Sequence, residues 1–505
     1  MADDSGVAGY TARKMQAAGY QAEIIALPET LYSKTEGLQN SGAERLPVLS
    51  DDEAVVERVF SQALNNTCLP LTGFIYIASE NEDFDGELFS QNGIDRLKII
   101  FFCAKYFFRV FKPETGYGFF VSAARMDGRL GLGAGGNFMQ GGLFGLHKSI
   151  GIEWNGMILS KAVDLAPELP PEKAADYLID EIFNTGYKHP EVGRSSDGRR
   201  FVPGLTESYL VPNLHDKGPE PGDVLLITGG GRGITAQCAI RLAKIYRCGF
   251  ILLGRTDLSA DIEWTGGERD RVKLKKLAIA RSSRTALKLP EIEKLVDSAL
   301  HQMEIMDTLD AIQSAGGRAR YVSCDARDLK RLRDTVKACE SELGPVTGLV
   351  HGAGNIADKK IQRKTSADFE NVFGSKIGGL DACLSCLGAG RLKYLLLFSS
   401  IAGYFGNAGQ SDYAMANEVM NKFAFAFKRR RPDCKTISIN WGLWDGGSMV
   451  SDSIRNAVKG SDIHLIPVET GTGYFADQFA YKQEPGVCQI IINPCDRLIR
   501  PDLPI

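Results

Sequence analysis

The feature that most restricts the fold is an alternation that runs through the chain twice. Short apolar runs, Asp223–Thr228 (DVLLIT), Phe250–Leu253, Gly348–His351 and Tyr394–Ser399, are bounded by Gly, Arg or Ser and separated by amphipathic stretches. A strand covered by helices on both faces has no polar side, so it reads as an unbroken apolar run. Strands alternating with helices predict a doubly wound parallel sheet. The same plan lies upstream. Pro70–Glu80 (PLTGFIYIASE) parallels Pro345–Asn355 (PVTGLVHGAGN), and Phe119–Met126 (FFVSAARM) sits where Leu397–Gly403 (LFSSIAG) sits. Gly6–Leu27 matches Gly233–Leu253 as glycine turn, helix and strand. The expected fold class is therefore α/β, with two Rossmann-like doubly wound parallel-sheet subdomains. Ser195–Pro221 is rich in Gly, Pro and charge, which sets a first unit over 1–205, a linker over 206–222 and a second unit over 223–500.

Two irregularities interrupt this plan. The first unit starts on its glycine turn with no strand before it, so its sheet should contain a gap. Either the N-terminus is cut from a longer polypeptide or a later strand fills the place. The second unit carries a basic, helix-prone insertion over about 258–305 (VKLKKLAIARSSR, then LPEIEKLVDSAL), which reads as a surface or docking feature.

Composition mainly excludes. A chain of 505 residues has room for two or three domains, and a net charge of −3 gives no reason to expect nucleic acid or an anionic membrane as partner. No apolar run reaches the roughly 20 residues of a membrane span. The opening MADDSGVAGY lacks the regions of a secretion signal. Eleven scattered cysteines argue against a disulfide framework, and the lone Cys383/Cys386 CxxC reads as a reduced pair on a helix surface. These features together predict a cytoplasmic protein without a bound metal.

Residues 224–235 (VLLITGGGRGIT) are a strand running into a glycine turn and a helix. Glycines let the backbone approach a pyrophosphate, and the helix N-terminus offers free N–H groups. Thr228, Gly229, Gly230, Gly231, Arg232, Gly233 and Ile234 are thus the candidate phosphate loop. Its spacing resembles the TGxxxGxG of short-chain dehydrogenases, with Thr235 in place of the last glycine. The next strand ends in Arg255, where an acidic residue would suit a ribose 2′-hydroxyl and an arginine suits a 2′-phosphate. With Arg232 close by, the expected cofactor is NADPH. Asp325 and Ala326, after the strand Arg320–Cys324, are placed for the adenine edge, although a turn-capping role for Asp325 is open.

Ser400 and Tyr413 lie thirteen residues apart in FSSIAGYFGNAGQSDYAMAN. Reducing a ketone requires hydride at carbon and a proton for the developing alkoxide. A tyrosine can give that proton while a serine holds the oxygen. A free tyrosine has a pKa of about 10, so a nearby cation is needed, and Lys376 in FGSKIGGL is the candidate.

These residues resemble a known family. Short-chain dehydrogenases carry Tyr-x-x-x-Lys, but here Asn417 follows Tyr413 at that spacing and the lysine lies thirty-seven residues upstream. This exchange, with HGAG at 351–354, FSSIAG at 398–403, GQSDYAMAN at 409–417 and INWGLWDGG at 439–447, is similar to the ketoreductase domains of modular polyketide and related fatty acid synthases. The basic insertion looks most like that of polyunsaturated fatty acid synthases. The resemblance covers nearly the whole chain. It implies reduction of a carrier-bound 3-oxoacyl thioester to the 3-hydroxyacyl thioester, with Tyr413, Ser400, Lys376 and Asn417 as the catalytic set and Gly352, Ala353 and Gly354 beside the cofactor. It also implies a first unit that is structural and non-catalytic. An acyl carrier protein and neighbouring domains such as a dehydratase are the implied partners. A mobile lid over Gly446–Leu465 is one expectation and an ordinary loop the other. Ile356-Ala357-Asp358 and the absence of Trp at Phe405 lean towards the D-type alcohol. The rival readings are a free-standing alcohol dehydrogenase of this fold and a catalytically silent synthase domain.

Overall fold

The computed structural model describes residues 6–25, 45–46, 51–65, 70–79, 88–112, 116–133, 136–207, 211–212, 218–258, 261–282, 288–446, 455–456 and 464–493 except 483 and 485. Its larger sheet has seven strands, all parallel. Their order across the sheet is Arg318–Ser323, Gly249–Gly254, Val224–Thr228, Val346–His351, Tyr394–Ser400, Lys435–Trp441 and Gln489–Ile492. The chain therefore winds outward from Val224–Thr228 in one direction, then returns and winds in the other. The carboxyl ends of Val224–Thr228 and Val346–His351, which are neighbours in space but not in sequence, open a crevice at that switch point.

The upstream half repeats part of this pattern. Gly73–Ile77, Gly118–Ala124, Ile158–Leu165 and Glu191–Arg194 are parallel, and Arg200–Phe201 closes the edge antiparallel. Ile24–Ile25 and Arg45–Leu46 pair in parallel as a separate two-stranded sheet. Among the described residues no strand joins the two pieces. An alternating fold without its innermost strand is split in this way.

The linker takes part in the fold. Val211–Pro212 pairs antiparallel with Tyr481–Lys482, so a segment read as a passive connection supplies backbone to the second half. The basic insertion forms two helices, Arg271–Ser282 and the 26-residue Leu289–Ser314. Leu274 and Ala278 of the first pack on Ile292 and Val296 of the second. Arg271 bridges to Glu293 (2.8 Å) and also pairs with Asp297, so part of the basic charge is spent inside the insertion. Cys383 is fully buried in the helix Gly379–Leu387 and Cys386 is half-buried, so the pair does not sit on a surface as the spacing suggested. Leu380, Leu384 and Leu387 surround that side of the helix with apolar packing. Among the described residues no cluster fit for a metal ion occurs, and no helix is long and apolar enough to cross a membrane.

The halves meet through two helices at corresponding places in the duplicated plan, Gly141–Glu153 and Ser411–Arg430. Backbones approach closely because Gly145 has no side chain: a Cβ there would lie 2.3 Å from the Ala414 carbonyl oxygen. Around the crossing, the Phe423 ring packs on Phe89 and Phe138 from the first half, with centroids 4.8 and 5.1 Å away. Gly145→Val should therefore lower stability by about 1–3 kcal/mol in a denaturant titration, the usual cost of overpacking. In the same helix, Gly151→Ala meets only Ser160 at an ordinary 3.5 Å. It should be neutral or stabilising, because alanine costs less backbone entropy than glycine in a helix.

Candidate active site

One cavity of about 1420 Å³ runs along the switch-point crevice, from the glycine turn at one end to Trp441 and Trp444 at the other. It exceeds the roughly 300–1,000 Å³ of a drug-sized site, leaving room for a dinucleotide and a second reactant.

At the first end, Val224–Thr228 delivers the chain into a turn whose Gly229 and Gly233 have φ of 71° and 62°, a region that disfavours side chains. Thr228, Gly229, Gly231, Arg232, Gly233 and Ile234 line the cavity. Gly230 is absent from the wall and lies against Ile227, where a Cβ would be 2.8 Å from its Cγ2. Thr235 stands where the motif has glycine, and the partner strand compensates. A Cβ on Gly352 would fall 2.7 Å from Thr235 Cγ2, so the missing bulk has been exchanged between the two positions and the helix keeps its approach to the sheet.

Arg255 also lines the cavity and donates to Asn355 Oδ1 (3.2 Å). Asp325 and Ala326 are in the wall. The Asp325 carboxylate is bridged by Arg327 at 2.7 Å, which holds its pKa below the usual range. The helix start, the free space beside it and the left-handed glycines fit a dinucleotide.

The middle of the cavity collects Ser400, Tyr413 and Lys376. Ser400 ends the strand Tyr394–Ser400, and its Oγ accepts from Ala402 N (3.2 Å), capping the short helix Ile401–Phe405. Tyr413 lies in the first turn of Ser411–Arg430. Burial raises the pKa of its hydroxyl, and bonds from Asn417 and Ser400 draw it part of the way back. Lys376 projects from a single π-turn, Gly374–Gly378, a distortion frequent at functional sites. Its ammonium donates to the Phe398 carbonyl (2.9 Å) and sits 5.1 Å from the centroid of the Tyr413 ring. Gly354 makes room for it, since a Cβ there would be 3.1 Å from Lys376 Cε. Asn417 is one turn behind Tyr413 and outside the cavity wall. Its Nδ2 donates to the Tyr413 carbonyl (2.8 Å), and its buried Oδ1 has no hydrogen-bond partner among the described residues.

Sequence reasoning missed His351, although the HGAG string contains it. Buried and with its pKa lowered to about 3, it is neutral. Lys376 O accepts only, so the 2.8 Å contact fixes the proton on Nε2, and Nδ1 then accepts from Thr228 Oγ1 (2.9 Å). Thr228 Oγ1 in turn accepts from Gly352 N and Ala353 N, both 3.1 Å away. The glycine turn, the HGAG strand end and the backbone of Lys376 are thereby joined by one chain of bonds. Asp358 and Phe405 line the cavity as well, and Asp358 Oδ1 accepts from Gln410 (3.0 Å). Most of the expected lid, Gly446–Leu465, lies outside the described residues.

A seven-stranded doubly wound sheet, a glycine turn at its switch point and a Ser-Tyr-Lys group in the same crevice define the Rossmann-like fold of the short-chain dehydrogenases. Residues 224–446, somewhat under half of the chain, match the family described as KR domain. The chain is 35% identical over 369 residues to a polyunsaturated fatty acid synthase subunit from Thraustochytrium sp., a match covering 70% of this chain and 13% of that protein. It is 26% identical to polyketide synthase PksN of Bacillus subtilis, over 65% of this chain and 5% of that one. The chain thus spans a small fraction of the curated relatives it matches. Among solved structures, an N-terminal ketoreductase from the macrolactin assembly line superposes with a TM-score of 0.68 at 20% identity, covering 98% of this chain and 86% of that one. A-type ketoreductases from a modular polyketide synthase give 0.67 at 19%, covering 94% and 90%. The fold is shared with these proteins.

Lys376 also carries a cost to folding. Burial lowers its pKa from 10.5 to about 7, so between those values the unfolded chain holds a proton that the folded one lacks. Stability should therefore rise with pH across that window and stay at its lower level below about 7. Lys376→Met should remove this rise and melt about 2 °C or more higher than the parent at pH 7, as thermal unfolding at several pH values would read.

Proposed function

We propose that this chain reduces a 3-oxoacyl thioester to the 3-hydroxyacyl thioester with NADPH, the substrate arriving on the phosphopantetheine arm of an acyl carrier protein. The observation that carries this reading is the convergence of Ser400, Tyr413 and Lys376 on the cavity that also holds the glycine turn, Arg232 and Arg255. A reduced nicotinamide dinucleotide supplies the hydride when bound. The turn Thr228–Ile234, with Gly352, Ala353 and Gly354, would hold its phosphates and sugars, and Arg255 and Arg232 its 2′-phosphate. Asp325 and Ala326 border the adenine end.

Ser400 Oγ and the Tyr413 hydroxyl both bond the ketone oxygen, and Tyr413 gives its proton as negative charge develops there. The Lys376 ammonium, over the Tyr413 ring, favours the phenolate left behind and so eases proton loss from a group that burial makes reluctant. Asn417, through its bond to the Tyr413 carbonyl, holds the first turn of the helix, and its open Oδ1 is available to a water that returns the proton. The acyl chain would enter beside Trp444, and the product of the reaction would be of the D type. Its β-hydroxyl suits a dehydratase acting next. Polyketide or polyunsaturated fatty acid synthesis is the setting, the catalytic unit spans 223–500, and the first unit over 1–205 acts as its structural support. The compartment we assign is the cytoplasm.

The reading is tested by following reduced-nicotinamide absorbance with a 3-oxoacyl thioester. Tyr413→Phe should lower turnover by at least about a hundredfold, the scale of general acid catalysis, with cofactor binding retained. Arg255→Ala should weaken NADPH by about tenfold and leave NADH nearly unaffected. Wild-type turnover that survives the loss of the Tyr413 hydroxyl would exclude the mechanism.

A further inference from the structure

The long insertion helix reaches the cofactor cavity, although its sequence suggested a surface feature. His301, Glu304 and Ile305 of Leu289–Ser314 line the cavity beside the glycine turn. Glu304 goes further. Its carboxylate Oε1 accepts from Gly233 N at 2.8 Å, the first N–H of the helix Gly233–Tyr246. A helix start concentrates free N–H groups and the positive end of the dipole, and a dinucleotide's pyrophosphate needs those same groups. One N–H of the phosphate loop is already bonded to an anion that belongs to the protein.

We infer that Glu304 is a built-in competitor for the pyrophosphate site, which the bound dinucleotide must displace, so that the insertion sets cofactor affinity. The inference rests on the assignment of this cavity to a dinucleotide. The helix itself is held in place while the side chain can leave. One turn further on, the single hydroxyl proton of the buried Thr308 is shared between the Gly231 carbonyl (3.1 Å) and its own helix at Glu304 O (2.8 Å). Ile305 closes on Gly231, where a Cβ would lie 3.2 Å from Ile305 Cγ1. Glu304 is exposed, with solvent open to its carboxylate once the bond to Gly233 breaks. His301 lines the same rim and offers the displaced carboxylate a polar partner. A competitor of this kind weakens reduced and oxidised cofactor alike and speeds release of the spent form.

The competition is at the pyrophosphate, which NADPH and NADH share. This separates Glu304 from the arginines, whose contribution depends on the 2′-phosphate. Titration calorimetry of the whole chain with NADPH and with NADH, without substrate, tests it. Glu304→Gln and Glu304→Ala should each tighten both dinucleotides by about fivefold, the scale of a charge at a helix terminus, and leave their ratio unchanged. Melting of the cofactor-free variants shows that they fold. Wild-type protein that binds neither dinucleotide would overturn the cofactor assignment itself. Wild-type binding with unchanged or weaker affinity in both folded variants would overturn the role of Glu304 alone, as would tightening confined to NADPH.

Discussion

The close crossing of Gly141–Glu153 with Ser411–Arg430 is the constraint on which the rest depends, because the second helix carries Tyr413 and Asn417. Glycine permits the approach, and buried charge fixes its register. Lys148 reaches Glu191 (3.1 Å) from its own half and Glu418 (3.6 Å) from the other, while Lys422 holds Glu418 at 2.9 Å and Asn421 donates to the same carboxylate at 2.8 Å. All four charged side chains are at most 5% exposed. Two cations and two carboxylates balance, and removing one would strand its partner in a dry interior, a loss of about 3–5 kcal/mol. Such a network tolerates only one placement of the helix. In this way the first half, which among the described residues contributes none to the cavity wall, sets the position of the tyrosine.

Much of this was legible in the sequence, for a physical reason. Parallel strands announce themselves by unbroken apolar runs, and the seven-stranded sheet has strands at Val224–Thr228, Gly249–Gly254, Val346–His351 and Tyr394–Ser400 where such runs lie. A glycine turn and a Ser-Tyr pair at fixed spacing are local patterns, and the structure gathers Ser400, Tyr413 and Lys376 in one crevice. What escaped was set by long-range placement. Nothing near Glu304 in sequence says that its carboxylate meets Gly233, 71 positions away. Gly145 looks like any helical glycine until Ala414 is brought against it. Thr235 looked like a departure from the motif, and only the strand beside it reveals why it fits. His351 carried a usable signal, since a histidine at the end of an otherwise apolar strand needs two partners when buried.

The cavity is held by few but interlocking parts. Thr228 serves the turn, the HGAG segment and the neutral His351 at once, and His351 passes the constraint to the π-turn under Lys376. Lys364 does similar work at the other side of Tyr413. Fully buried, it pairs with Asp412, donates to the Ala357 carbonyl (2.7 Å) and has its own carbonyl bound by Lys105 at 2.6 Å. The loop carrying Asp358 and the tyrosine helix meet at its ammonium group, and the upstream half joins them at its backbone carbonyl. Positions distant in sequence are therefore coupled through buried polar atoms, which tolerate little displacement.

The pairing of Val211–Pro212 with Tyr481–Lys482 changes what counts as the second unit. A cut at the start of its first strand would strip a backbone partner from Tyr481–Lys482, a few residues before the sheet's outermost strand Gln489–Ile492. Unpaired edges of that kind recruit whatever strand is nearby. A truncation that keeps 206–222 would carry its own edge protection. One that omits them would trade a folded border for a sticky one, and self-association would be the first symptom.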